Sequence, residues 1–257
     1  MPRAHRHHLS GQIWHITHRC HEKSFLLRFP NDRRRYRRWL FQAKQRFGLC
    51  VLNFVITSNH VHLLAKDTGE GVIARSVQLA AGRTAQEYNQ RKARQGAFWE
   101  DRYHATAVEA GEHLHRCLVY IDLNMVRAGA VSHPAAWESG GYREIQDPPQ
   151  RYTLIDLKEL SDASGFDDVV AFQRAHYRWV EDALVSGALT REERWSGSIA
   201  VGGSVFIERV KRKLGIAGPR RVGAMASDSY ALREPPNPYR TVSPRKFDPL
   251  RPKNRAF

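Results

Sequence analysis

The chain has 257 residues, 42% hydrophobic and 10% aromatic, enough apolar material for a sizeable core, which excludes a wholly disordered polymer. Its 41 Lys and Arg against 26 Asp and Glu leave a net charge of +15, and the excess of arginine over lysine points to nucleic-acid phosphates rather than a membrane surface. Three scattered cysteines (Cys20, Cys50, Cys117) argue against a disulfide framework and a cysteine zinc site. With no membrane-length apolar run and no signal-peptide core, this predicts a cytoplasmic protein with reduced thiols and no membrane partner.

Residues 1–10 read as a basic arm, with Arg3 and Arg6 available to phosphates. Gln12 to His18 alternates as a strand, placing Ile13 and His15 on one side and Trp14 and Ile16 on the other. His15, His18 and His21 are spaced too irregularly for a ligand set. After the Pro30-Asn31-Asp32 start signal, Tyr36, Trp39, Leu40, Ala43 and Phe47 mark the buried stripe of a helix from Asp32 to Phe47. Its other positions are crowded with arginine, including Arg34 and Arg38, and make either a solvated face or a phosphate-facing one.

Gly48 ends that helix, Leu49 to Ile56 reads as a central strand, and Thr57-Ser58-Asn59 turns the chain into a second strand, His60 to Ala65. A second helix follows from Gly71 to Lys92, a fourth strand from Tyr103 to Val108, and a third helix from Gly111 to Arg127. The order βαββαβα predicts an α+β fold, a split βαβ (ferredoxin- or RRM-like) antiparallel sheet with helices on one face. The main boundary is expected near residue 150, giving a domain over 11–149, a mainly helical C-terminal appendage over 150–232 and a disordered Pro/Arg tail over 233–257. Basic residues of the appendage, among them Lys211, Arg212, Lys213, Arg220 and Arg221, allow a DNA-gripping role or a plain stabilising cap.

Within the hairpin, the period-two pleat projects His60 and His62 from the same face, about 6.5 Å apart at the backbone. Two readings fit: a pair of solvent-satisfied histidines, or two imidazoles converging on one metal ion. On the third helix Tyr120 and Asn124 are four residues apart and share a face, and Arg116 and Arg127 continue the stripe. That face presents either a tyrosine half-buried at the helix edge, or a phenol nucleophile beside an amide-oxygen ligand and phosphate-binding cations.

Three segments in order, Thr57-Ser58-Asn59-His60-Val61-His62-Leu63-Leu64, Phe98-Trp99-Glu100-Asp101-Arg102-Tyr103-His104-Ala105 and Tyr120-Ile121-Asp122-Leu123-Asn124-Met125-Val126-Arg127-Ala128-Gly129, resemble the single-tyrosine HUH transposases, specifically the REP-associated tyrosine transposases. The resemblance spans about residues 9–145 and departs at Met125, where the family usually has proline. It implies that His60, His62 and Asn124 hold a divalent cation, Mg or Mn, and that Tyr120 is the nucleophile. It further implies a catalytic domain over 11–149 that cleaves and rejoins single-stranded DNA near hairpins through a 5′-phosphotyrosine. Arg116, Arg127, Arg102, Arg34 and Arg38 are the expected DNA contacts, and the chain would act as a monomer or homodimer. Two alternatives remain: a non-catalytic nucleic-acid-binding sheet of RRM type, which needs exposed aromatics on the central strands, and a rolling-circle initiator or relaxase sharing the histidine pair.

Overall fold

The computed structural model describes residues 9–187, 190–215, 222–225 and 229–233; Arg3, Arg6, Arg220, Arg221 and the Pro/Arg tail from 234 lie outside the described residues. The elements run β1 (Ile13–Arg19), α1 (Pro30–Phe47), β2 (Cys50–Ile56), β3 (His60–Lys66), α2 (Val72–Arg91), β4 (His104–Val108), α3 (Glu112–Asp122), α4 (Asn124–Arg127), α5 (Tyr142–Gln146), α6 (Leu157–Ala163), α7 (Val169–Val185), α8 (Arg194–Gly197), β5 (Ala200–Gly202), α9 (Ser204–Lys213), β6 (Val222–Met225) and β7 (Ser229–Leu232). Pro30 opens α1, where its missing N–H costs nothing, and Gly48 closes it at φ 71°, a conformation that a Cβ would strain.

The first four strands form an antiparallel sheet in the order β2-β3-β1-β4, the split βαβ arrangement that the alternation of elements predicts. Registration places Thr17 opposite His62, Arg19 opposite His60 and Thr106 opposite His15. Cross-strand partners project to the same side, so His15, Arg19, His60 and His62 share one face. Trp14, Ile16, Val61 and Leu63 project from the other.

That apolar face is covered by α1 and α2, which pack extensively on each other. The expectation of helices on one face does not extend to α3. It lies on the histidine face, because the partners of its buried side chains, His15, His62 and Asn53, all project that way. The third helix also stops at Leu123 (φ −77°, ψ 5°) and restarts as α4, so Tyr120 and Asn124 belong to successive short helices.

Among the described residues, the stretch 150–232 holds four helices and also three strands that lengthen the sheet. β5 runs parallel to β4 through Ala107–Ala200 and Val108–Val201, and β7 and β6 follow in antiparallel order. An exposed edge at β4 is thereby paired; strands of three or four residues are too short to read by period. The opposite edge, β2, is covered by loop backbone. Ile56 N–H donates to the Ser139 carbonyl (2.9 Å), Gly141 N–H to the Phe54 carbonyl (2.7 Å) and Asp156 N–H to the Val51 carbonyl (2.8 Å).

One hydrophobic cluster contains Trp14, Leu64 and Ile121 together with Phe172, Trp195 and Phe206. Beside it, a buried polar network fastens α3. The Asp122 carboxylate accepts from Asn53 Nδ2 of β2 (3.0 Å) and from His176 Nε2 of α7 (2.8 Å), while Gln146 Nε2 donates to His176 Nδ1 (2.8 Å). The three cysteines are free and buried; burial pushes Cys20 up to about 12 and Cys50 up to about 11, as expected of unreactive packing thiols.

Candidate active site

The site is assembled where the tip of β3, the middle of β1 and the α3–α4 junction meet. The His60 and His62 rings stand edge to face with centroids 4.9 Å apart. The Tyr120 ring is edge-on to His62 at 5.9 Å and to His15 at 6.1 Å. Asn124 Nδ2 lies 3.1 Å from His62 Nε2, and the Asn124 amide also acts on His60, favouring its charged form.

Hydrogen-bond chemistry fixes which nitrogen of each ring is free. Asn59 Nδ2 donates to the Lys23 carbonyl (3.1 Å), which turns Asn59 Oδ1 toward His60 Nδ1 at 2.7 Å. His60 Nδ1–H therefore donates, and its Nε2 carries the lone pair. On the other ring, His62 Nδ1 meets His15 Nε2 at 2.8 Å, and His15 Nδ1 meets the Trp195 carbonyl at 2.8 Å. Burial drives His15 down to about 3 and His60 down to about 4, with Arg19 and Arg191 adding to the shift of His60; His62 is held well below its ordinary value, again by burial first. All three rings are neutral at pH 7, and His62 Nε2 is turned toward Asn124.

Tyr120 is 5% exposed. Burial raises its hydroxyl above the usual phenol range, while Arg127 and Arg191 pull it back. The Arg127 guanidinium sits 4.2 Å from the centre of the Tyr120 ring and donates to the Tyr120 carbonyl. Two unprotonated imidazoles and an amide oxygen suit a divalent cation, yet they bring no negative charge. Among the described residues no group of three or more His, Cys, Asp or Glu side chains could hold a metal ion. Arg19, Arg127 and Arg191 add positive charge around this neutral donor set.

Residues 9–124 match the family model of IS200-like transposases, and the matched segment runs from the start of the sheet to Asn124. The match covers a little under half of the chain. Two solved structures are similar. A REP-associated tyrosine transposase bound to a REP hairpin shares 16% identity at a TM-score of 0.46, over 60% of this chain and 90% of that one. A Deinococcus radiodurans protein described as a transposase shares 17% identity at a TM-score of 0.34, over 45% of this chain and 92% of that one. No curated protein matches the chain.

The fold brings His60, His62, Tyr120, Asn124 and Arg127 together, and leaves the other expected contacts apart. Arg34 and Arg38 lie on α1, beyond the opposite face of the sheet, where Arg34 donates to Asn31 and Arg38 to Glu87. Arg116 is ion-paired with Glu112 one turn earlier on α3. Arg102 is exposed in the turn before β4, its N–H on the Asp101 carboxylate. Sequence reasoning missed four residues that reach the site: His15, Arg19, Arg191 and Trp195. Alternation had set His15 on the correct side of β1; its partners arrive from β3 and α8, which no local pattern reveals.

Proposed function

We propose that this chain is a strand transferase of the REP-associated tyrosine type, acting on single-stranded DNA near hairpins through Tyr120. The meeting of the Tyr120 phenol with the two free imidazole nitrogens and the Asn124 amide carries this reading, and the three-segment resemblance supports it. His60, His62 and Asn124 would hold the cation once the amide turns its oxygen inward. A bound Mg or Mn ion supplies Lewis-acid charge beside the scissile phosphate.

The chain's own part is positioning and charge. Arg127 and Arg191 favour the phenolate, and with Arg19 they draw the phosphodiester to the rim. Tyr120 Oη attacks the phosphorus as its proton leaves; the bond to the 3′ oxygen breaks, and that oxygen takes up a proton to become a 3′ hydroxyl. The 5′ phosphate stays on tyrosine. Attack by a second 3′ hydroxyl reverses the exchange, restores the phenol and joins strands, one phosphoester replacing another without nucleotide hydrolysis.

The non-catalytic sheet reading is less well supported, because α3 and α8 cover the face an RRM-like platform would leave open for bases. Among the described residues no helix is long and apolar enough to cross a membrane.

The test is incubation with labelled hairpin-bearing single-stranded DNA and Mn2+ or Mg2+. Wild type forms a covalent adduct, Tyr120→Phe binds without forming one, and His60→Ala loses the dependence on metal. An adduct formed by Tyr120→Phe would overturn the assignment.

A further inference from the structure

The His15 ring is fully buried on the site face of β1, and nothing in the mechanism above uses it. Its ring is nearly parallel to that of His62, with centroids 5.0 Å apart and an interplanar angle of 12°. It touches two polar partners, His62 Nδ1 and the Trp195 carbonyl, each at 2.8 Å. A carbonyl oxygen only accepts, so the proton of the neutral His15 ring must sit on Nδ1. Its Nε2 then carries a lone pair and can only accept from His62 Nδ1. The second ring follows the first: His62 holds its proton on Nδ1 and leaves Nε2 bare beside Asn124.

We propose that His15 is a positioning residue that locks His62 in the tautomer able to ligate a cation, and that it takes its direction from the Trp195 backbone carbonyl. The role toward a metal rests on the preceding reading of His60 and His62 as ligands. Ligating histidines ordinarily donate their second ring nitrogen to a carboxylate, carbonyl or water. Here a second imidazole stands in that place, and the end of the chain of hydrogen bonds lies in α8, some 70 residues beyond the segment that matches the family model. Trp195 is itself fully buried and tilted against Tyr120 at 6.1 Å, so α8 touches both the ligand relay and the phenol. Thr106 on β4 donates to the Ser198 carbonyl at 2.7 Å and holds α8 against the sheet.

Two measurements on the full chain test this. The first is long-range proton–nitrogen NMR of the histidine rings without metal. It is expected to show the His62 proton on Nδ1 in wild type, a mixture of tautomers in His15→Phe, and Nδ1 again in His15→Gln, whose amide oxygen can accept from His62. The second is Mn2+ titration followed by line broadening of the His60 and His62 ring signals. His15→Phe should need about 10–100-fold more Mn2+ for equal broadening, the usual effect of losing a ligand's hydrogen-bond partner, and His15→Gln should recover most of it. A wild-type His62 protonated on Nε2 overturns the proposal without any variant, as does a His15→Phe chain with the wild-type tautomer and Mn2+ response. A wild type that shows the expected tautomer but no Mn2+ broadening would refute the metal reading above, while still supporting the control of His62 by His15.

Discussion

Replacing Asp122 with alanine isolates the contribution of the network that fastens α3. Asp122 accepts from two buried donors, Asn53 Nδ2 at 3.0 Å and His176 Nε2 at 2.8 Å. His176 is fully buried and Asn53 likewise, so water cannot replace the carboxylate without opening the packing. Each buried donor left without a partner costs about 1–3 kcal/mol, which sums to a loss near 4 kcal/mol for Asp122→Ala. At about 2–4 °C per kcal/mol for a chain of this size, Tm falls by about 10 °C. Asp122→Asn should lose less, about 1–2 kcal/mol, because its oxygen still serves Asn53 while the imidazole must move its proton to Nδ1 and Gln146 must turn its amide. The double variant Asp122→Ala/His176→Phe should recover part of the loss, since one of the two stranded donors is gone. Urea and thermal unfolding of all three measure these differences. An Asp122→Ala chain within about 0.5 kcal/mol of wild type, the range of an ordinary surface substitution, would refute the reasoning.

Three further outcomes are expected. A Cβ at Gly141 would lie 2.2 Å from Asn53 Oδ1 and 2.9 Å from Ile155 Cδ1, so Gly141→Ala should destabilise by about 1–3 kcal/mol in urea unfolding, and an unchanged midpoint would show that Asn53 can move aside. Trp195→Ala removes a fully buried indole and should cost about 3–5 kcal/mol, read by the same method. Arg127→Gln takes the cation from 4.2 Å above the Tyr120 ring; the rate of covalent adduct formation should fall by roughly 5–30-fold, equivalent to about 1–2 kcal/mol, in a timed quench with labelled DNA.

Much of the first half of the fold was legible because its elements are long and periodic. The stripe of Tyr36, Leu40 and Ala43 lies buried on α1, and β1 to β4 begin and end within a residue or so of their expected limits. The site was legible wherever its parts are close in sequence: His60 with His62 through the pleat, Tyr120 with Asn124 through one helical turn. What local pattern could not carry is contact between distant segments. Arg34 and Arg38 look like phosphate ligands in a run of arginines, yet the face of α1 is set by the core on the far side of the sheet. His15 and Trp195 are 180 positions apart and meet only because α8 returns across β1 and β4. The break at Leu123 is equally silent in sequence, since no proline or glycine occupies it.

The covering of β2 by the loops around Ser139 and Asp156 also sets how copies of this chain can meet. A bare outermost strand would be a template on which another molecule could zip up its own backbone and fuse two sheets into one. Here the loop amides and carbonyls already occupy those valences, so joining along that border would first require peeling away a segment that Ile155 anchors in the core. Association through side-chain surfaces stays open to the molecule; continuation of the sheet past β2 does not.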